Sequence, residues 1–190
     1  DVRLSFVPPG AHMGYPTLFK NFPDEIVQPL AVLGGGSPCG ALWLDEPGLQ
    51  NGLYTVEWGR NAIMYHPLTA NGAGFKQEQV EWLKLTRPTD MDVDASGRIY
   101  IASWEGATFS YAGPNAGYVL RVVKKDAKPF ALPDLKTHPP AALAIILGGS
   151  SSVLRLAAQR ELLRRDPTAA ARDIEKQVTI SPTIGARVAC

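Results

Sequence analysis

The sequence predicts a mainly β fold with an α C-terminal part, and three observations lead there. A strand pattern occurs twice, as Gly52-Leu53-Tyr54-Thr55-Val56-Glu57-Trp58-Gly59 and as Gly97-Arg98-Ile99-Tyr100-Ile101-Ala102-Ser103-Trp104-Glu105-Gly106, with the same interval from Tyr54 to Tyr100 as from Trp58 to Trp104. Each copy follows a proline-led segment, Pro38-Cys39-Gly40-Ala41-Leu42-Trp43-Leu44-Asp45 or Pro88-Thr89-Asp90-Met91-Asp92-Val93-Asp94. From about residue 139 the apolar spacing changes from the strand period to the helix period. A repeat of about 40–50 residues built from short strands is the signature of a β-propeller blade, which cannot bury its own faces alone. The expectation is two or more propeller blades followed by a HEAT-like α-hairpin, in a chain that reads as a fragment of something larger.

Residues 1–36 read as the end of a preceding blade with a long loop. Pro8-Pro9-Gly10 and Gly14-Tyr15-Pro16 are turn signals. Residues 25–33 suit an outer edge strand, where Pro29 is tolerated, and Gly34-Gly35-Gly36 makes a flexible crossover. Two blades follow, 37–86 and 87–132. Strands of the first are expected over 38–45, 51–58, 61–67 and 79–85, with Asn51-Gly52 supplying a positive-φ turn. Strands of the second are expected over 88–94, 98–103, 117–123 and 128–132, with turns at Asp94-Ala95-Ser96-Gly97 and Gly113-Pro114-Asn115-Ala116-Gly117.

Residues 133–149 read as a linker with a short helix, and 150–190 as the start of a HEAT-like repeat. Ser150, Ser151 and Ser152 offer N-cap oxygens for a helix from Val153 to Arg165. Leu154, Ala158 and Leu162 share one face of it, with Leu156 and Leu163 beside them. Asp166-Pro167 ends it, and Thr168 caps a second helix from Ala169 to about Val178. Helix pairs of this kind stack as linear arrays, so further repeats are expected as partners.

Composition narrows the function classes. The 190 residues are 45% apolar and 19% charged with a net charge of +1, an ordinary globular balance without the basic face of a nucleic-acid binder. Cys39 and Cys190 form no CxxC, zinc or haem-attachment pattern, and Cys39 reads as a buried or free thiol. The longest apolar run, Ala141 to Leu147, is far shorter than the ~20 residues of a membrane span. No export signal opens the sequence, which the fragment reading accommodates.

Several segments together resemble one family. Gly34-Gly35-Gly36-Ser37-Pro38-Cys39-Gly40, Glu57-Trp58-Gly59-Arg60-Asn61-Ala62 and Tyr65-His66-Pro67-Leu68 are joined by Arg87-Pro88-Thr89-Asp90, Ser103-Trp104-Glu105-Gly106 and Gly113-Pro114-Asn115-Ala116-Gly117-Tyr118. They look like the large exported membrane-bound dehydrogenases related to glucose/sorbosone dehydrogenases, across residues 12–165. The resemblance implies a six-bladed propeller, HEAT-like helices and a periplasmic or extracellular location. It further implies a pyrroloquinoline quinone (PQQ) cofactor with calcium, and a haem domain that this chain lacks. The family's histidine base and several quinone contacts lie in earlier blades, also absent here.

Candidate residues are weighed against plainer roles. Arg60 and Asn61 follow a strand end and Arg87 precedes an innermost strand. A guanidinium there could fork onto the carboxylate of a quinone or an acidic sugar, or make an ordinary salt bridge. Trp104, like Trp58, could offer a platform to a ring or pack in the core. Glu105 could receive a substrate hydroxyl or lie in solvent. Asp90, Asp92 and Asp94 alternate along one strand and so share a face, as a calcium ion would require, yet Asp94 equally suits the Asp-x-Ser-Gly turn. His12, His66 and His138 show no orienting partner in the sequence, and no nucleophile elbow, phosphate loop or HExxH pattern is present.

The favoured expectation is the C-terminal propeller portion of a dehydrogenase-like protein that oxidises a sugar or polyol with a quinone. The rival is a non-catalytic propeller/HEAT scaffold binding a polysaccharide or a protein partner. Fold alone licenses neither.

Overall fold

The computed structural model describes residues 2–13, 26–35, 37–105, 116–127 and 131–190. Strands β1 (Arg3–Leu4) and β2 (Ala31–Val32) pair antiparallel. β3 (Pro38–Leu44), β4 (Gly52–Glu57) and β5 (Ala62–His66) follow, then a hairpin of β6 (Leu68–Asn71) and β7 (Gly74–Gln77), then β8 (Val80–Lys84). β9 (Pro88–Val93), β10 (Ile99–Trp104) and β11 (Gly117–Val122) form a three-stranded sheet. Helices α1 (Pro140–Leu147), α2 (Ser152–Arg164), α3 (Ala171–Ile180) and α4 (Ile184–Ala189) close the chain.

The propeller expectation is overturned. Among the described residues the fold is mixed α/β, with 33% strand and 28% helix in several small antiparallel sheets and four helices, and no closed ring. The sheet in the order β3-β4-β5-β8 has a blade's four strands, but the next, β11-β10-β9, has three. The fourth strand expected over 128–132 falls mostly outside the described residues, and Ala131 and Leu132 are not strand. The two repeat copies are alike in spacing and unlike in role. Tyr54 is fully buried and Tyr100 only half-buried, while Trp58 opens a 3-10 turn and Trp104 ends β10. Alternating burial along two hairpins is enough to generate such a match without a ring.

Two compact units divide the chain. The first comprises Asp1–Ala41, Leu53–Asp90 and Ala102–Tyr118. Its core forms around β4, whose Tyr54, Thr55, Val56 and Glu57 are all buried, so both faces of this strand are covered. The β4–β5 register runs from Leu53 opposite His66 to Glu57 opposite Ala62. Tyr54 packs its ring 5.0 Å from Tyr65 and 5.3 Å from Trp82, the latter edge-on. A bulge between Ile63 and Met64 adjusts β5 against β8.

The second unit comprises Leu42–Gly52, Met91–Ile101 and Val119–Cys190. Leu143, Ala144 and Leu147 of α1 pack with Ala158 and Leu162 of α2 and with Ala170, and Ile174 and Ala189 close on them. The expected face of α2 is buried at Ala158 and Leu162 and half-buried at Leu154, whereas Leu156 and Leu163 are exposed. Ser151 is the N-cap, accepting from the Leu154 amide. The following cap is Asp166 rather than Thr168, since its carboxylate accepts from the Thr168 amide at 2.9 Å and starts a 3-10 turn, Pro167–Ala170, ahead of α3. Arg155 is buried and joins Asp45 at 2.5 Å, while the Glu46 carboxylate accepts from Ser152 Oγ and the Val153 amide. The residues just after β3 thus complete the start of α2.

Candidate functional site

The β4–β5 turn builds the site in the first unit. The chain leaves β4 through a 3-10 turn, Trp58–Arg60, which Asn61 ends in the left-handed conformation at φ 55°. Asparagine tolerates that region better than most residues because its short polar side chain bonds locally. Here the Asn61 Oδ1 accepts the Arg87 amide at 3.0 Å. Arg87 is itself left-handed, at φ 44°, so the two unusual residues support each other.

That backbone places the Arg87 guanidinium over the Trp58 ring, 4.4 Å from its centroid, a cation–π contact. The Trp104 ring lies 6.0 Å from that of Trp58 at 50°. Ser103 donates to the Thr86 carbonyl, tying the end of β10 to the segment that carries Arg87. Trp104 Nε1 is buried without a hydrogen-bond partner among the described residues. Arg87 also makes no side-chain hydrogen bond or ion pair among them. Among the described residues the cluster therefore holds one uncommitted guanidinium beside two aromatic rings, and a guanidinium fork matches a planar anion.

Of the expected site residues, Asn61, Arg87 and Trp104 come together with Trp58. Arg60 does not join them, because its Nη1 donates to the Leu33 carbonyl at 2.8 Å and to Gln79 Oε1 at 2.9 Å. Glu105 is exposed, and its amide donates to the Ala116 carbonyl. Asp94 serves its turn, accepting from the Ser96 amide and hydroxyl, the Arg98 amide and Tyr100 OH. Partial burial pushes its carboxyl up, but the bonds from Ser96, Arg98 and Tyr100 outweigh this and hold it below the usual range. Asp92 accepts the Val93 amide, and Asp90 lies against Gly40, where a Cβ would come within 2.8 Å of its Oδ1. Among the described residues no three His, Cys, Asp or Glu side chains are grouped to hold a metal ion. With Asp94 committed to its turn and Arg60 to Leu33, these residues do not fit calcium with a carboxylated quinone.

Sequence reasoning missed a buried polar chain beside the turn. Thr55 Oγ1 donates to Glu57 Oε1 at 2.7 Å and pairs with His66 Nε2 at 2.8 Å, and His66 Nδ1 pairs with Gln77 Oε1 at 2.9 Å. Thr55, Glu57 and His66 are each at most 1% exposed. Glu57 Oε2 has no partner among the described residues. Thr55 and Glu57 share a strand face, a signal that the alternation offered; His66 reaches them only through the hairpin register. Thr55 also lines a cleft of about 260 Å³ with Arg3, Leu33, Pro38, Cys39 and Gly40. Cys39 is exposed and unpaired in a disulfide; partial burial chiefly pushes its thiol up, with Glu57 and Asp90 adding to that and the Trp58 amide opposing it.

No helix among the described residues is long and apolar enough to cross a membrane. No protein-family model matches the chain, and no curated protein or solved structure matches it.

Proposed function

We propose that the first unit is a binding module for a carboxylate-bearing sugar, such as a uronic acid unit of an acidic polysaccharide. The observation that carries this reading is the Arg87 guanidinium, 4.4 Å from the centroid of the Trp58 ring, with no side-chain hydrogen bond or ion pair among the described residues. The ring contact restrains the guanidinium, so less side-chain freedom is lost when a carboxylate docks on it. Trp58 and Trp104 supply apolar ring surface of the kind that covers the faces of sugars. A sugar is what the expected dehydrogenase would oxidise, and a polysaccharide, beside a protein partner, is one of the two ligands expected of the rival scaffold.

Affinity should be modest. A single uronate has about 13 non-hydrogen atoms, and at roughly 0.3 kcal/mol each this gives ~4 kcal/mol, a Kd near 1 mM. The test is a titration of the whole chain with glucuronate, galacturonate and glucose, followed by intrinsic tryptophan fluorescence. Saturable quenching by the uronates but not by glucose is expected, with Arg87→Gln weakening it about tenfold or more. Equal response to glucose, or an Arg87→Gln variant that binds as the parent does, would overturn the reading.

A further inference from the structure

A cleft of about 440 Å³ opens in the second unit, between α2 and the segment around the 3-10 turn Leu135–Thr137. That volume lies within the ~300–1,000 Å³ typical of small-molecule pockets. Its apolar lining comes from Leu132, Leu135, Leu154 and Ala157. Leu132 is 57% exposed, so apolar surface faces water here.

The rim is charged in a lopsided way. Arg164 and Glu161 are spent on each other, by bonds of 2.9 and 2.6 Å, and Arg165 adds a third bond to Glu161. Asp134 turns its Oδ1 to the Lys136 amide as the cap of its own turn. Lys136 and Arg160, both exposed, make no side-chain hydrogen bond or ion pair among the described residues. An apolar lining that also carries two cations uncommitted among the described residues complements one ligand chemistry well: an aliphatic tail ending in a single anion.

We propose that this cleft binds a single-chain anionic amphiphile, a fatty-acid carboxylate, with the tail along Leu132, Leu135, Leu154 and Ala157 and the carboxylate between Lys136 and Arg160. Tail burial provides the affinity, which grows with chain length, because each methylene leaves water. The two cations provide the preference for an anion over a neutral head, and this preference falls with added salt because both are exposed.

The probe is laurate, titrated below its micelle concentration into the whole chain by calorimetry, with dodecanol as the neutral control. One saturable site is expected for laurate, with dodecanol about tenfold weaker or more. Arg160→Glu and Lys136→Glu should each weaken laurate several-fold and leave dodecanol unchanged, and unaltered circular dichroism would show both variants folded. Ala157→Trp, which fills the cleft, should abolish binding of both ligands. The proposal fails if laurate does not saturate, if dodecanol binds as tightly, or if neither charge reversal changes laurate affinity.

Discussion

Replacing Arg155 should cost the second unit more stability than any surface change. Its guanidinium donates to the Asp45 carboxylate at 2.5 Å and to the carbonyls of Gly149 and Ser150 at 3.0 and 2.9 Å. The side chain is 8% exposed and that of Asp45 23%. Removing one partner of a buried ion pair costs about 3–5 kcal/mol. Water reaches Asp45 and the two carbonyls near the helix start, so the lower end applies, about 3 kcal/mol for Arg155→Met, in which the unbranched thioether keeps the packing of the stem. Asp45→Asn leaves the guanidinium its two carbonyls and should cost about 1–1.5 kcal/mol. The double variant should reveal a coupling of about 1–2 kcal/mol. Urea unfolding reads this directly: with a slope near 2 kcal/mol/M, Arg155→Met should lower the midpoint by about 1.5 M. A loss under about 0.5 kcal/mol, or Asp45→Asn costing as much as Arg155→Met, would refute the clamp.

Three further outcomes are expected. The hydrogen bond from Arg164, reinforced by Arg165, holds the Glu161 carboxyl down at about 2 against an ordinary 4.5, so its stabilisation is complete above pH 4.5 and lost as pH falls toward 2; thermal melts of the parent and Glu161→Gln should therefore differ at pH 6 and converge near pH 2. Burial, with Tyr65 adding, pushes the Tyr54 phenol up to about 12 against an ordinary 10, so its share of stability holds below pH 10 and declines as pH rises toward 12; Tyr54→Phe should flatten that alkaline decline in chemical denaturation. Asn61→Ala loses both the left-handed preference and the bond to the Arg87 amide and should cost about 1–2 kcal/mol in urea, of which Asn61→Gly recovers roughly half.

Local patterns were legible because they depend on near neighbours. The strands expected over 38–45, 51–58, 61–67 and 79–85 correspond to β3, β4, β5 and β8, and the helix expected from Val153 to Arg165 is α2 displaced by one residue. Asn61 and Arg87, as residues flanking strand ends, and Trp104, as an aromatic at a strand end, are recognisable in the sequence, and they converge on Trp58. What the sequence concealed depends on distant pairing. The Thr55–His66 contact needs the hairpin register, and the Asp45 and Glu46 contacts to α2 span more than a hundred residues. The fold class differs from the expectation because equal spacing of Tyr and Trp does not impose equal structural role: Tyr54 is fully buried and Tyr100 half-buried, and Trp58 opens a 3-10 turn while Trp104 ends β10. The hairpin β6–β7 and helix α4 were too short to stand out by period.

Glu46 closes the start of a helix that is translated long after it. Until α2 exists, the Glu46 carboxylate has no Ser152 hydroxyl or Val153 amide to receive, and until the segment around Glu46 is positioned, α2 lacks that acceptor at its first turn. The Glu46 contacts of the second unit therefore form only after both segments have been translated. Its assembly requires closing a loop of roughly a hundred residues, a slow step for a small unit because the entropy of closure precedes the contacts that reward it. During that interval the exposed edges and apolar helix faces of the nascent chain are the surfaces a chaperone would meet.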